Sequence, residues 1–104
     1  MTNIDAGIKL DAHSFNNIAI GLNAARNLET GSRNIFIGAG AGRSLVRGDD
    51  NLIIGDGIDV PDPYTSNYVN ILDLLVFEDG RLVKNALEAP LRDTINRAIG
   101  VAYG

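Results

Sequence analysis

The 104-residue chain has room for one domain or two very small ones, and its 45% apolar and 21% charged residues exclude wholesale disorder. Nine Lys+Arg against thirteen Asp+Glu leave a formal charge of -4, a balance unsuited to neutralising phosphates, so nucleic acid and anionic membrane surfaces are disfavoured as partners. There is no cysteine, hence no disulfide, thiolate zinc site or cysteine nucleophile, and no apolar run reaches the ~20 residues of a membrane-spanning helix.

Residues 1–15 read as a lead-in segment. Met1-Thr2-Asn3-Ile4-Asp5 offers no basic stretch followed by an apolar one, so no signal peptide is expected from it. From residue 16 to about 60 the sequence repeats. Asn17-Ile18-Ala19-Ile20-Gly21 returns as Asn34-Ile35-Phe36-Ile37-Gly38 and again as Asn51-Leu52-Ile53-Ile54-Gly55, with a step of 17 residues each time. The columns between agree too. Asn23, Gly40 and Gly57 tolerate a left-handed backbone, Ala24, Ala41 and Ile58 are apolar, and Arg26 matches Arg43, Leu28 Leu45, and Gly31 Gly48.

A helical repeat needs about 30 residues for two helices and two turns. Seventeen residues, with β-branched strands and glycine corners, fit one coil of a β-solenoid or β-roll whose coils stack at ~4.8 Å. Stacking turns each column into a ladder. Asn17, Asn34 and Asn51 then form an amide ladder, and Gly21, Gly38 and Gly55 allow a sharp corner. Ile18, Ile35 and Leu52, with Ile20, Ile37 and Ile54, give two aliphatic columns on one strand face, and alternation puts Ala19, Phe36 and Ile53 on the other. A solitary roll would solvate one of these faces, yet both are apolar. One is expected to line the interior and the other to meet further chains, with Ala19, Phe36 and Ile53 assigned to the interface of a homotrimer. The alternative is a sandwich closing that face against residues 66–104 of the same chain.

Residues 61–85 read as a strand and hairpin region. Pro61 and Pro63 are expected to disrupt the third repeat. A fourth, imperfect copy at Asn67-Tyr68-Val69-Asn70-Ile71-Leu72 arrives a residue early and has Leu72 where glycine is expected. Glu78-Asp79-Gly80-Arg81 predicts a hairpin turn between Leu74–Phe77 and Leu82–Lys84. Residues 86–104 read as a helical cap, regular from Ala89 or Pro90, with Leu91, Ile95 and Ile99 on one stripe and Gly100 as the C-cap. Leu91 and Ile95 are assigned to the trimer interface. A cap of this kind covers the open strand edges at a solenoid end.

The motifs at residues 17–24, Asn-Ile-Ala-Ile-Gly-Leu-Asn-Ala, and 34–41, Asn-Ile-Phe-Ile-Gly-Ala-Gly-Ala, resemble the repeats of the left-handed parallel β-roll in trimeric autotransporter adhesin heads. The longer spacer, Ala25-Arg26-Asn27-Leu28-Glu29-Thr30-Gly31-Ser32, is similar to the variant in bacteriophage tail fibres and tail spikes. The likeness covers residues 16 to about 57 and continues more weakly to Leu75. It implies a homotrimeric fibre segment on the phage virion, working in receptor binding and host attachment alongside other tail or fibre proteins. A host surface glycan or outer-membrane receptor would be its target. The autotransporter family carries a signal peptide and a membrane-anchor barrel, and neither is legible here. Either the sequence is a segment of a longer protein or the phage variant is the better match. The alternative setting is the bacterial cell surface, as a carbohydrate-binding adhesin domain, or a non-catalytic piece of a polysaccharide-degrading tail spike.

No residue pattern calls for catalysis, a cofactor or a metal. Gly38–Ser44 lacks the spacing of a phosphate loop, and its glycines follow from the repeat columns. His13 is the sole histidine and has no partner motif. Asp49, Asp50, Asp56, Asp59 and Asp62 do not follow a calcium-loop spacing. Carboxylate pairs for glycoside hydrolysis need a carved groove, which short coils do not offer. The candidate ligand contacts are Arg26 and Arg43, stacked one coil apart and expected to be neutralised by Glu29 or Asp59 or to meet an anionic glycan, and Tyr68, which with Tyr64 and Tyr103 offers either a stacking surface for sugars or an ordinary packing residue. The hexapeptide-repeat acyltransferases are also left-handed solenoids, but their six-residue period is absent. The expectation is therefore an all-β solenoid of 17-residue coils with a short C-terminal α-helix, assembled as a homotrimer and not an enzyme.

Overall fold

The computed structural model describes residues 14–87, which are all-β with no helix among them. Six short strands, β1 (Ile18–Ile20), β2 (Ile35–Ile37), β3 (Leu52–Ile54), β4 (Tyr68–Ile71), β5 (Leu75–Glu78) and β6 (Arg81–Asn85), form one sheet in chain order. The first three pairings are parallel and join residues 17 apart, so Ile18, Ile35, Leu52 and Val69 stand in one file and Ile20, Ile37, Ile54 and Ile71 in another. The last two pairings are antiparallel. Asp79 and Gly80, at φ 51° and 79°, make the two-residue turn that joins β5 to β6. The expected helical cap, with Leu91 and Ile95, lies outside the described residues.

Backbone pairing between successive repeats continues beyond the strands. Gly38 N–H donates to Ile20 O and Gly55 N–H to Ile37 O, both at 2.8 Å, and Gly40 and Gly57 repeat the contact at Leu22 and Ala39. On the far side of each repeat Glu29 N–H donates to Val46 O at 2.8 Å and Val46 N–H to Pro63 O at 2.7 Å. The corner glycines are required by this close stacking. Gly38 sits at φ 128°, and a Cβ placed on it would lie 2.6 Å from the carbonyl carbon and oxygen of Gly55.

The asparagine column forms the ladder that the repeat implies. Asn34 Oδ1 accepts from the backbone N–H of Asn51 at 3.0 Å and from its Nδ2 at 2.9 Å. Asn34 Nδ2 in turn donates to Asn17 Oδ1 at 3.0 Å and to Gly48 O at 2.8 Å. Every amide thus ties its own repeat closed and binds the next one, which satisfies polar groups that would be costly to bury bare.

One expectation for residues 61–72 is corrected. The fourth copy keeps the 17-residue step, with Tyr68 rather than Asn67 in the asparagine column: Tyr68 N–H donates to Asn51 Oδ1 at 3.1 Å, as Asn34 N–H does to Asn17 Oδ1. Leu72 then takes the glycine position, at φ 54°. The prolines do alter the second half of the third repeat, as expected: the turns at 22–27 and 39–44 shorten to 56–57, residues 61–64 bend and turn, and the bridge that joins Thr30 to Arg47 has no counterpart at Tyr64. Stacking survives the change, since Pro63 O accepts from Val46 and Arg47 as Val46 O accepts from Glu29 and Thr30.

The main correction concerns the faces. Ala19, Phe36 and Ile53, expected between chains, are 1%, 0% and 0% exposed within the single chain, packed in one cluster with Ala24, Leu28, Ala41 and Leu45. The flanking Ile18, Ile20 and Ile37 are 46%, 41% and 38% exposed. A strand of three residues with its outer two pointing one way sends a single side chain inward, where it joins Leu28 and Leu45 in the core cluster. The alternative closure by a sandwich is not needed for these three side chains.

Candidate functional site

The outward strand face is an exposed apolar feature of the described residues. Its two aliphatic files, Ile18/Ile35/Leu52/Val69 and Ile20/Ile37/Ile54/Ile71, rise through the parallel strands. Antiparallel pairing extends them by placing Phe77 opposite Val69 and Leu75 opposite Ile71, and Leu82 of β6 lies opposite Phe77. Each position is exposed or half-buried, and no charged side chain stands among them. Five strands at ~4.8 Å spacing carry both files, an apolar surface roughly 19 Å long, and on β6 Leu82 continues one file while Asn85 ends the other. A contiguous patch of that kind is the mark of an interaction surface. Sequence patterning read both strand faces as apolar but assigned Ala19, Phe36 and Ile53 to the outer one. The distinguishing signal was size: Ala19, Phe36 and Ile53 differ widely in volume, as residues in a private interior do when their own surroundings compensate.

Arg26 and Arg43 are exposed and stand in adjacent repeats, as their column requires. Neither Glu29 nor Asp59 pairs with them: the ion pairs among the described residues are Arg33–Asp50 and Lys84–Asp73. Asp59 Oδ1 accepts instead from the backbone N–H groups of Ser44 and Val60, and Arg43 Nη1 donates to Gly57 O at 3.3 Å. Tyr68, the third candidate contact, is 8% exposed, and its hydroxyl accepts from Asn70 Nδ2 at 3.3 Å. Its ring is therefore a core element and not an open stacking surface.

Sequence reasoning missed the Arg33–Asp50 pair. Arg33 Nε lies 2.7 Å from Asp50 Oδ1 and Nη2 3.1 Å from Oδ2, a two-pronged contact between repeats on an exposed corner. The hydrogen bond from Arg33, more than simple charge attraction, holds the Asp50 carboxyl below the ordinary carboxylate value, and the same contact raises Arg33. Both residues sit in the left-handed region, at φ 58° and 60°, in a file that begins with Asn16 and ends with Asn67. The spacing of 17 with opposite charges was the available signal.

Among the described residues no group of three or more His, Cys, Asp or Glu is placed to hold a metal ion, and no helix is long and apolar enough to cross a membrane. Comparison with known proteins finds no matching family, no matching curated protein and no matching solved structure.

Proposed function

We propose that this chain is a β-solenoid segment that assembles as a homotrimer and serves as a stiff element of a phage tail fibre, tail spike or comparable host-attachment structure. The observation that carries this reading is the outward pair of aliphatic files, which a lone chain leaves in water. Copies of the same chain suit it best. Its side chains recur at the strand spacing, so a neighbour with the same spacing meets it at every rung, whereas an unrelated surface meets it at few. The role is mechanical rather than catalytic. Hydrogen-bonded ladders and interchain burial stiffen the rod, at ~25 cal/mol per Å2 of apolar surface removed from water. The resemblance of residues 17–24 and 34–41 to adhesin and tail-fibre repeats supports the attachment setting. The mass of the purified chain by light scattering tests the reading: a particle of three times 11.1 kDa is expected, and a well-folded monomer overturns it.

A further inference from the structure

A cleft of about 240 Å3 opens where the third repeat meets the β5–β6 turn, lined by Asp62, Tyr64, Ser66, Tyr68, Glu78 and Asp79, with Pro61 and Thr65 completing it. Three features set it apart from the repeat surface. Tyr64 is 68% exposed, yet its backbone is held: its N–H donates to Asp62 Oδ1 at 2.7 Å, prolines stand at 61 and 63, and the Thr65 hydroxyl donates to Asp62 O at 2.8 Å. This aromatic face is presented to solvent on a braced corner. Two hydroxyls in the cleft already accept a hydrogen bond and retain a proton to give. Ser66 Oγ accepts from Asp49 N–H at 3.0 Å, and the buried Tyr68 hydroxyl accepts from Asn70. Opposite them stand Glu78 and Asp79, whose carboxylates form no ion pair or side-chain hydrogen bond among the described residues.

We infer that this cleft binds a neutral saccharide, one pyranose ring lying against Tyr64 with its hydroxyls donating to Glu78 and Asp79 and accepting from Ser66 and Tyr68. The ligand must offer donors and acceptors together and a flat, weakly polar face, which is the chemistry of a sugar ring. Its charge follows from the lining, where three carboxylates stand with no lysine or arginine, so uronic and sialic acids are repelled. The volume suits one ring and falls short of the ~300–1,000 Å3 of pockets for drug-sized ligands. The choice of site departs from Arg26 and Arg43, whose chemistry selects anions. The cleft lies within one chain, so this inference gives the attachment role a ligand class without depending on the trimer. A monomer that binds sugar would uphold it and sink the assembly reading.

The test is a 15N–1H titration of the full chain with D-glucose, D-galactose and N-acetyl-D-glucosamine, with D-glucuronate and tetramethylammonium as charged counterparts. At least one neutral sugar is expected to shift the amides of Tyr64–Ser66 and Glu78–Gly80 to saturation, while glucuronate leaves them in place. Tyr64→Phe keeps the response, and Tyr64→Ala and Glu78→Gln, both at exposed positions, each weaken it about tenfold. The inference fails if none of the three sugars shifts these amides, if glucuronate binds as well as they do, if tetramethylammonium alone binds, or if Tyr64→Ala binds unchanged.

Discussion

Phe36 and Gly42 share one volume. The Phe36 ring fills the space that a Cβ on Gly42 would occupy, and in the preceding repeat the equivalent positions are Ala19 and Ala25, a small inward side chain beside a methyl. Gly42→Ala therefore meets the ring and also strains a backbone at φ 65°. A loss of about 2–4 kcal/mol is expected in urea unfolding, combining overpacking with the left-handed penalty. Phe36→Ala alone leaves a cavity and costs about 3–5 kcal/mol. The double variant rebuilds the first repeat's pairing in the second, so its loss falls short of the sum by about 1 kcal/mol or more. Strict additivity would show that the two positions are not coupled.

The asparagine ladder makes Asn34 the most heavily bonded side chain of the interior. Asn34→Ala strands the Asn51 N–H and the Gly48 carbonyl in a region where Asn34 itself is fully buried, while Asn17 Oδ1 keeps the backbone N–H of residue 34. With each such orphan costing ~1–3 kcal/mol, the loss is expected at about 2 kcal/mol or more, read by thermal or denaturant unfolding. Asn34→Asp fails differently. Its second oxygen faces two acceptors, so this variant gains stability on acidification, when a protonated carboxyl can donate to Gly48 O. A variant whose stability is flat across that range would contradict the donor assignment.

The ladder, the corner glycines and the Asp79-Gly80 hairpin were legible because each rests on a residue type with one strong backbone or hydrogen-bonding preference. The choice of inward face was not, because Ile18, Ala19 and Ile20 are all apolar and alternation alone has no sign. The register of the fourth copy was misread for a related reason. Asn67 drew attention as an asparagine, but it stands in the left-handed corner file with Asn16, Arg33 and Asp50, and the true ladder position carries Tyr68, whose backbone N–H alone continues the pattern. The cleft beside the β5–β6 turn was half visible. Tyr64 and Tyr68 were legible as aromatic candidates, but Glu78 and Asp79 are brought to them by the turn into the antiparallel strands, which no repeat column predicts.

The Arg33–Asp50 contact gives stability an acid limb. Because the folded-state carboxyl titrates below its ordinary value of about 3.9, the contribution is complete above that value and is lost as the pH falls through the lower, folded one. A carboxyl-carbon NMR titration should place the Asp50 midpoint on the acid side of the ordinary aspartate value. Asp50→Asn should flatten the corresponding part of the melting-temperature profile while leaving neutral-pH stability nearly unchanged, since both partners are well exposed. An Asp50 midpoint at or above the ordinary value would mean that the pair does not persist in solution.

The two faces of β2 separate folding from assembly within three residues. Phe36→Asp places a charge in the closed interior of one chain and is expected to abolish cooperative folding. Ile37→Asp places the same charge one residue along, on the outward file, where the side chain is 38% exposed in the single chain. In a monomer that substitution is nearly neutral. In a trimer joined through this file it sets three carboxylates against apolar neighbours, so sedimentation should show the mass fall to that of one chain while circular dichroism keeps the β signature. Ile37→Val, which retains the apolar surface, should leave the assembly whole. If Ile37→Asp remains trimeric and folded, the outward isoleucine files are not where the chains meet.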